Sequence, residues 1–174
     1  MDSEILSHYN IRASTKSTAL FHLYNLDEAT LGSIELKTDE KKQAEIIIGE
    51  NKYEIIQPSI WESKYSVLLN KDTVATLKIN SLNLNTEIKI LGKKPIEYKL
   101  EILSFWKYNY KLSDAQGQLL FFLTPKLNWK TMNYTFSIAY HHIFESYEEK
   151  ELLFFITTFQ LLAHMRNSTV TVVT

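Results

Sequence analysis

Between Glu148 and Arg166 the chain reads EEKELLFFITTFQLLAHMR, a helix-length segment that is apolar on every face. A surface helix carries one apolar stripe; a helix apolar all round must lie in a protein core or in lipid. The uncharged run Leu152 to Met165 is 14 residues long and contains Thr157, Thr158, Gln160 and His164. A membrane span needs about 20 mostly apolar residues, so the segment reads as a buried core helix over about 147–166. Ser146 and Glu149 have the S-x-x-E spacing of a capping box, which satisfies two orphan backbone donors. Glu148, Glu149 and Glu151 put negative charge at the positive end of the helix dipole. Asn167 is placed to be the C′ residue, and the β-branched tail Thr169–Thr174 suits a final strand or an extension.

What precedes this helix decides where it can be buried. From Leu31 to Tyr140 short alternating runs follow one another. In Ile96–Ile102, residues Ile96, Tyr98, Leu100 and Ile102 face one way while Glu97, Lys99 and Glu101 face the other, which is the period-two mark of a half-buried strand. Tyr134, Phe136, Ile138 and Tyr140 repeat the pattern, and eight further segments resemble them. Turn residues separate them, at Gly49–Lys52, Asn70–Asp72, Gly92–Pro95 and Ser113–Gly117, so successive strands form antiparallel hairpins. With Ile5–Ala13 and Thr18–Tyr24 the count reaches about twelve. So many short strands close into a barrel or pack as a sandwich, and only a large barrel has room for an all-apolar helix. The fold expected is a closed antiparallel barrel of about twelve strands, all-β apart from one central C-terminal helix, in a single domain over 1–174.

The strand series, the stretch Trp61-Glu62-Ser63-Lys64-Tyr65-Ser66-Val67, the hairpin Tyr110–Leu119 and the helix Glu148–Arg166 resemble the tubby C-terminal-like superfamily. That group includes tubby proteins, phospholipid scramblases and plant LURP-one-related proteins. The resemblance implies a barrel around a central hydrophobic helix and, by analogy, binding of lipid headgroups. The cysteine-rich palmitoylation stretch and the acidic calcium loop of scramblases have no counterpart here.

Composition narrows the function classes. Net charge is −1 and there is no cysteine. No global field attracts nucleic acid, and thiolate metal sites, disulfides and a cysteine nucleophile are excluded. With no basic n-region or apolar h-region at the N-terminus, the expected location is cytoplasmic. No nucleophile-elbow, zincin, P-loop or dinucleotide motif is present, so no catalytic residue and no cofactor is expected. His141-His142 are adjacent, and neighbours on a strand point to opposite faces, so no metal site is expected either.

Charge is uneven. Residues 71–140 hold ten Lys/Arg against five Asp/Glu, whereas residues 1–70 hold seven against eleven. The anion- or lipid-binding candidates are Lys93 and Lys94 in a turn, joined by Lys126 and Lys130 beside Trp129, because an aromatic among lysines is the composition of an interfacial anchor. The plain alternative is a set of solvated lysines. The expected function is a non-enzymatic binding module for an anionic phospholipid surface or a protein partner. The alternative is a small-ligand carrier or enzyme that uses a pocket in the barrel mouth.

Overall fold

The computed structural model describes residues 5–15, 17–39, 41–59, 63–80, 82–104, 109–128 and 133–170, with backbone only for 5–8, 128 and 166–170. Among these residues there are twelve strands: β1 (Ile5–Ala13), β2 (Leu20–Tyr24), β3 (Thr30–Leu36), β4 (Lys42–Ile48), β5 (Asn51–Ile56), β6 (Lys64–Leu69), β7 (Asp72–Ile79), β8 (Thr86–Ile90), β9 (Ile96–Ser104), β10 (Asn109–Asp114), β11 (Leu119–Asn128) and β12 (Asn133–His141). Each pairs antiparallel with its sequence neighbours, and β12 pairs with β1 to close the ring. Closure removes the free edges that would invite aggregation.

A short 3₁₀ turn, His142–Ser146, leads into helix α1 (Lys150–Val170). Residues 152–162 of α1 are buried all round. An α-helix with its side chains is about 10–12 Å across, a size that a twelve-strand barrel accommodates between the packed lumen of eight strands and the open channel of sixteen. The helix backbone lies nearest β3 and β4, where the inward residues Gly32 and Ala44 are small. Large side chains fill the wider gap on the other side. Phe154 meets Tyr9 and Phe121 with ring centroids 5.1 Å apart in each case, and Phe144 at 5.6 Å. Thr157 and Thr158 satisfy their hydroxyls within the helix, each donating to the Phe154 carbonyl at 2.9 and 2.8 Å. That is how an apolar-walled lumen tolerates them.

The helix ends differ from expectation. Ser146 Oγ donates to the Ile143 carbonyl at 3.0 Å inside the 3₁₀ turn, and the Glu149 carboxylate accepts from Tyr98. Neither side chain caps α1 through a capping box, because α1 begins at Lys150 and Glu149 therefore precedes the helix instead of standing at its third position. At the other end the helix continues through Asn167 to Val170, so Asn167 is not a C′ residue and Thr169 is helical. Local β-propensity is a weak prior that a continuing helix overrides. Residues 171–174 of the proposed tail strand lie outside the described residues.

Hairpin turns of an up-and-down barrel alternate between its two ends. Helix α1 enters at the upper end, which carries the β2–β3, β4–β5, β6–β7, β8–β9 and β10–β11 turns. The other connections lie at the lower end.

Candidate functional site

With α1 filling the lumen, a concavity opens on the outer wall. A groove of about 910 Å³ crosses the outer faces of β6 to β10, bounded by Pro58 at one end and by the Asp114–Gly117 turn at the other. Its floor follows one cross-strand row, set by the sheet register: Lys64 opposite Lys78, Lys78 opposite Glu87, Glu87 opposite Lys99, and Lys99 opposite Ser113. Because strands tilt in a barrel, this row runs obliquely from the lower end on β6 toward the upper end on β10. The overhanging β10–β11 turn leaves Ser113 only 5% exposed although it points outward. That turn is held by Asp114, whose carboxylate accepts from the backbone N–H of Gln116 at 3.0 Å and Gln118 at 2.8 Å.

The charges in the groove are not equivalent. Glu101 sits between Lys99 at 2.9 Å and Lys111 at 3.0 Å, and these two ammonium groups hold its carboxyl below the ordinary carboxylate range. Lys89 pairs with Glu97 at 2.9 Å. Lys78 makes no ion pair among the described residues and stands directly across from Lys64. Lys78 thus lies between Lys64 on β6 and Glu87 on β8, and charges of both signs line this side of the groove. Ser66 and Thr76, paired across the same two strands, add hydroxyls there.

The titratable groups at the upper end serve a different purpose. Glu145 accepts from Lys150 at 2.8 Å and from the Tyr9 hydroxyl at 3.3 Å, and Lys150 keeps its carboxyl below the usual range. Tyr98 donates to Glu149, and burial followed by that carboxylate pushes its phenol upward. This polar collar pins the start of α1. Toward the lower end, the Tyr110 hydroxyl and His164 Nδ1 lie 2.7 Å apart, and burial lowers the imidazole pKa.

The strand order separates the candidates read from the sequence. Lys93 and Lys94 are exposed in the β8–β9 turn at the upper end, outside the groove lining. Lys126 is exposed toward the opposite end of β11, across from Thr135. Consecutive turns alternate ends, so these lysines are not brought together. Trp129 and Lys130 lie outside the described residues. His141 ends β12 and His142 opens the 3₁₀ turn, so their rings come to 4.4 Å instead of facing opposite sides. The His141 Nδ1 accepts from the Ile143 N–H. Among the described residues no three metal-ligating side chains converge, and no helix is long and apolar enough to cross a membrane.

The groove lysines were missed because their register is invisible in the sequence. Counting back from the Asn70-Lys71 turn pairs Leu69 with Asp72 and Leu68 with Thr73, which would set Lys64 opposite Leu77. A bulge shifts the register by one between Val67 and Leu68, and that shift is what places Lys64 against Lys78. Comparison with protein-family models, curated proteins and solved structures finds no match for the chain.

Proposed function

We propose that this chain is a non-enzymatic binding module of tubby-like architecture, and that it takes a compact polyanion, such as a phosphorylated lipid headgroup, in the outer groove. The observation that carries this reading is Lys78, which makes no ion pair among the described residues, on the floor of a concave surface lined also by Lys64 and Lys99. A bound anion would give the Lys78 ammonium an ion-pair partner. Lys99 lies two strands beyond Lys78, about 10 Å at the usual interstrand spacing, which suits two anionic groups on one small scaffold. The hydroxyls of Ser66, Thr76 and Ser113 supply neutral donors between them. The volume lies within the range of small-molecule sites, roughly 300–1,000 Å³. The carrier or enzyme alternative needs open space within the barrel, and α1 occupies that space.

Calorimetric titration with inositol hexakisphosphate tests the reading. Binding is expected to weaken as salt rises, since exposed charges are screened. It is expected to be lost in Lys64→Glu/Lys78→Glu and largely kept in Lys93→Glu/Lys94→Glu. Equal loss in both variants, or binding indifferent to both, would count against the groove.

A further inference from the structure

Among the described residues, three buried side-chain oxygens find no hydrogen-bond partner within the protein: Thr86 Oγ1, Asn109 Oδ1 and Gln160 Oε1. Buried polar atoms are nearly always paired, so a group without a protein partner calls for a bound water or ligand. Asn109 precedes the inward Tyr110 and so points to the other side of β10, apart from the other two. Thr86, 0% exposed, and Gln160, 5% exposed, both lie inside the barrel. The polar groups nearest them on α1 are already committed. Thr157 and Thr158 donate to the Phe154 carbonyl, and His164 Nδ1 is paired with the Tyr110 hydroxyl.

Helix rotation and sheet register bring Thr86 and Gln160 to the same part of the lumen. Gln160 lies about one turn above His164 on the same helix face, and His164 reaches Tyr110 of β10. From Phe159, which packs on Tyr65 of β6 at 5.3 Å, Gln160 is a further rotation of about 100°. These two anchors aim it at the wall of β8 to β10. The inward row Tyr65, Leu77, Ile88 climbs obliquely from β6 to β8, and Thr86 is the next inward residue below Ile88. That step returns Thr86 to the level of Phe159 and Gln160. Its partners across the sheet, Ile79 and Leu100, have no polar side-chain atom to offer it. The helix backbone lies nearest β3 and β4, across the lumen, and Thr86 is smaller than Ile79, Ile88 and Leu100 around it, which leaves room on this side.

The chemistry of the two groups selects the ligand. Gln160 Oε1 only accepts, whereas the Thr86 hydroxyl both donates and accepts. No buried side chain among the described residues is charged, so a cation here would lack a counter-charge. Water accepts from one group while donating to the other, and buried waters bridge two to four such atoms. We propose that Thr86 and Gln160 hold an internal water molecule that ties α1 to β8: the Thr86 hydroxyl donates to the water, and the water donates to Gln160 Oε1. The link gives a directional contact to a helix otherwise held by non-directional apolar packing, and it is independent of the outer groove.

Urea denaturation and oxygen-17 magnetic relaxation dispersion, which counts long-lived internal waters, test this on Thr86→Val, Gln160→Met and the double variant. Both replacements keep the shape of the native side chain closely. Each single variant is expected to lower the folding equilibrium constant by about fivefold, the net worth of one hydrogen bond. The double variant is expected to hold one long-lived water fewer than the native chain and to be less destabilised than the two single effects combined, because it leaves no stranded partner. A raised urea midpoint in either single variant means that the native oxygen was bare, and overturns the proposal. Fully additive stability effects, or a water count that the double variant leaves unchanged, overturn it as well. The native chain supplies a test that needs no variant. Its crystal structure should show a water about 3 Å from both Thr86 Oγ1 and Gln160 Oε1, and direct contact between the two oxygens, or no water touching both, contradicts the proposal.

Discussion

Gly32→Ala is the substitution that probes the seating of the helix most sharply. A Cβ built at Gly32 would lie 2.5 Å from the Ile47 carbonyl oxygen and 3.0 and 3.3 Å from two ring carbons of Phe155. Ordinary carbon–oxygen contacts are about 3.3–3.6 Å, so the overlap with the carbonyl is close to 1 Å. That oxygen belongs to β4, whose pairing with β3 on one side and β5 on the other resists displacement. The ring belongs to a fully buried residue of α1. Overpacking of this kind costs about 1–3 kcal/mol, and obstruction on two sides places the expected loss at about 2–3 kcal/mol. Urea denaturation should show a lower midpoint with an unchanged m-value, and the melting temperature should fall by roughly 5–10 °C for a chain of this size. Phe155→Leu in the Gly32→Ala background removes the ring but not the carbonyl, so relief should be partial, with a coupling energy of about 1 kcal/mol. A Gly32→Ala protein as stable as the parent, or no coupling between positions 32 and 155, would refute the placement of α1 against β3.

Further perturbations follow from the same geometry. Phe155→Asp or Leu162→Asp should abolish soluble folding, because an unpaired buried charge costs several kcal/mol even after relaxation; recovery of both as soluble, cooperatively melting proteins would contradict a helix enclosed by the barrel. His164 has its pKa lowered by burial, so between its unfolded value near 6.5 and the lower folded value the unfolded chain binds more protons. Stability should therefore fall as the pH drops below about 6.5 and level off below the folded value; in urea titrations from pH 7.5 to 5.5 this slope should be reduced in His164→Asn, and an unaltered slope would assign it elsewhere.

The architecture was legible because it rests on patterns that sequence carries directly. Period-two alternation marked Ile96–Ile102 and Tyr134–Tyr140, turn residues such as Asn70-Lys71 marked the hairpins, and a helix without a polar face had to be enclosed. Asn70 and Lys71 do adopt positive φ, at 53° and 74°, the geometry that a two-residue hairpin turn needs. The helix boundaries were less legible, because Ser146 belongs to a 3₁₀ turn and α1 starts only at Lys150, past the Glu149 that a capping box would need inside the helix. The groove was not legible at all. It depends on which outward residues face each other across five strands, and a single bulge on β7 changes the answer for Lys64. Proximity in sequence misled where proximity in space was needed: Lys93 and Lys126 belong to one basic stretch of chain yet lie toward opposite ends of the barrel.

The central claim is that the helix fills the barrel and binding falls to the outer wall of β6–β10. Amide chemical-shift mapping during titration with inositol hexakisphosphate tests both halves at once. The account predicts perturbations concentrated at Ser66, Thr76, Lys78, Glu87 and Lys99, with the amides of Leu153 to Leu162 unmoved. Perturbations centred on α1 and on Tyr110 in the lumen, or none anywhere, would contradict it.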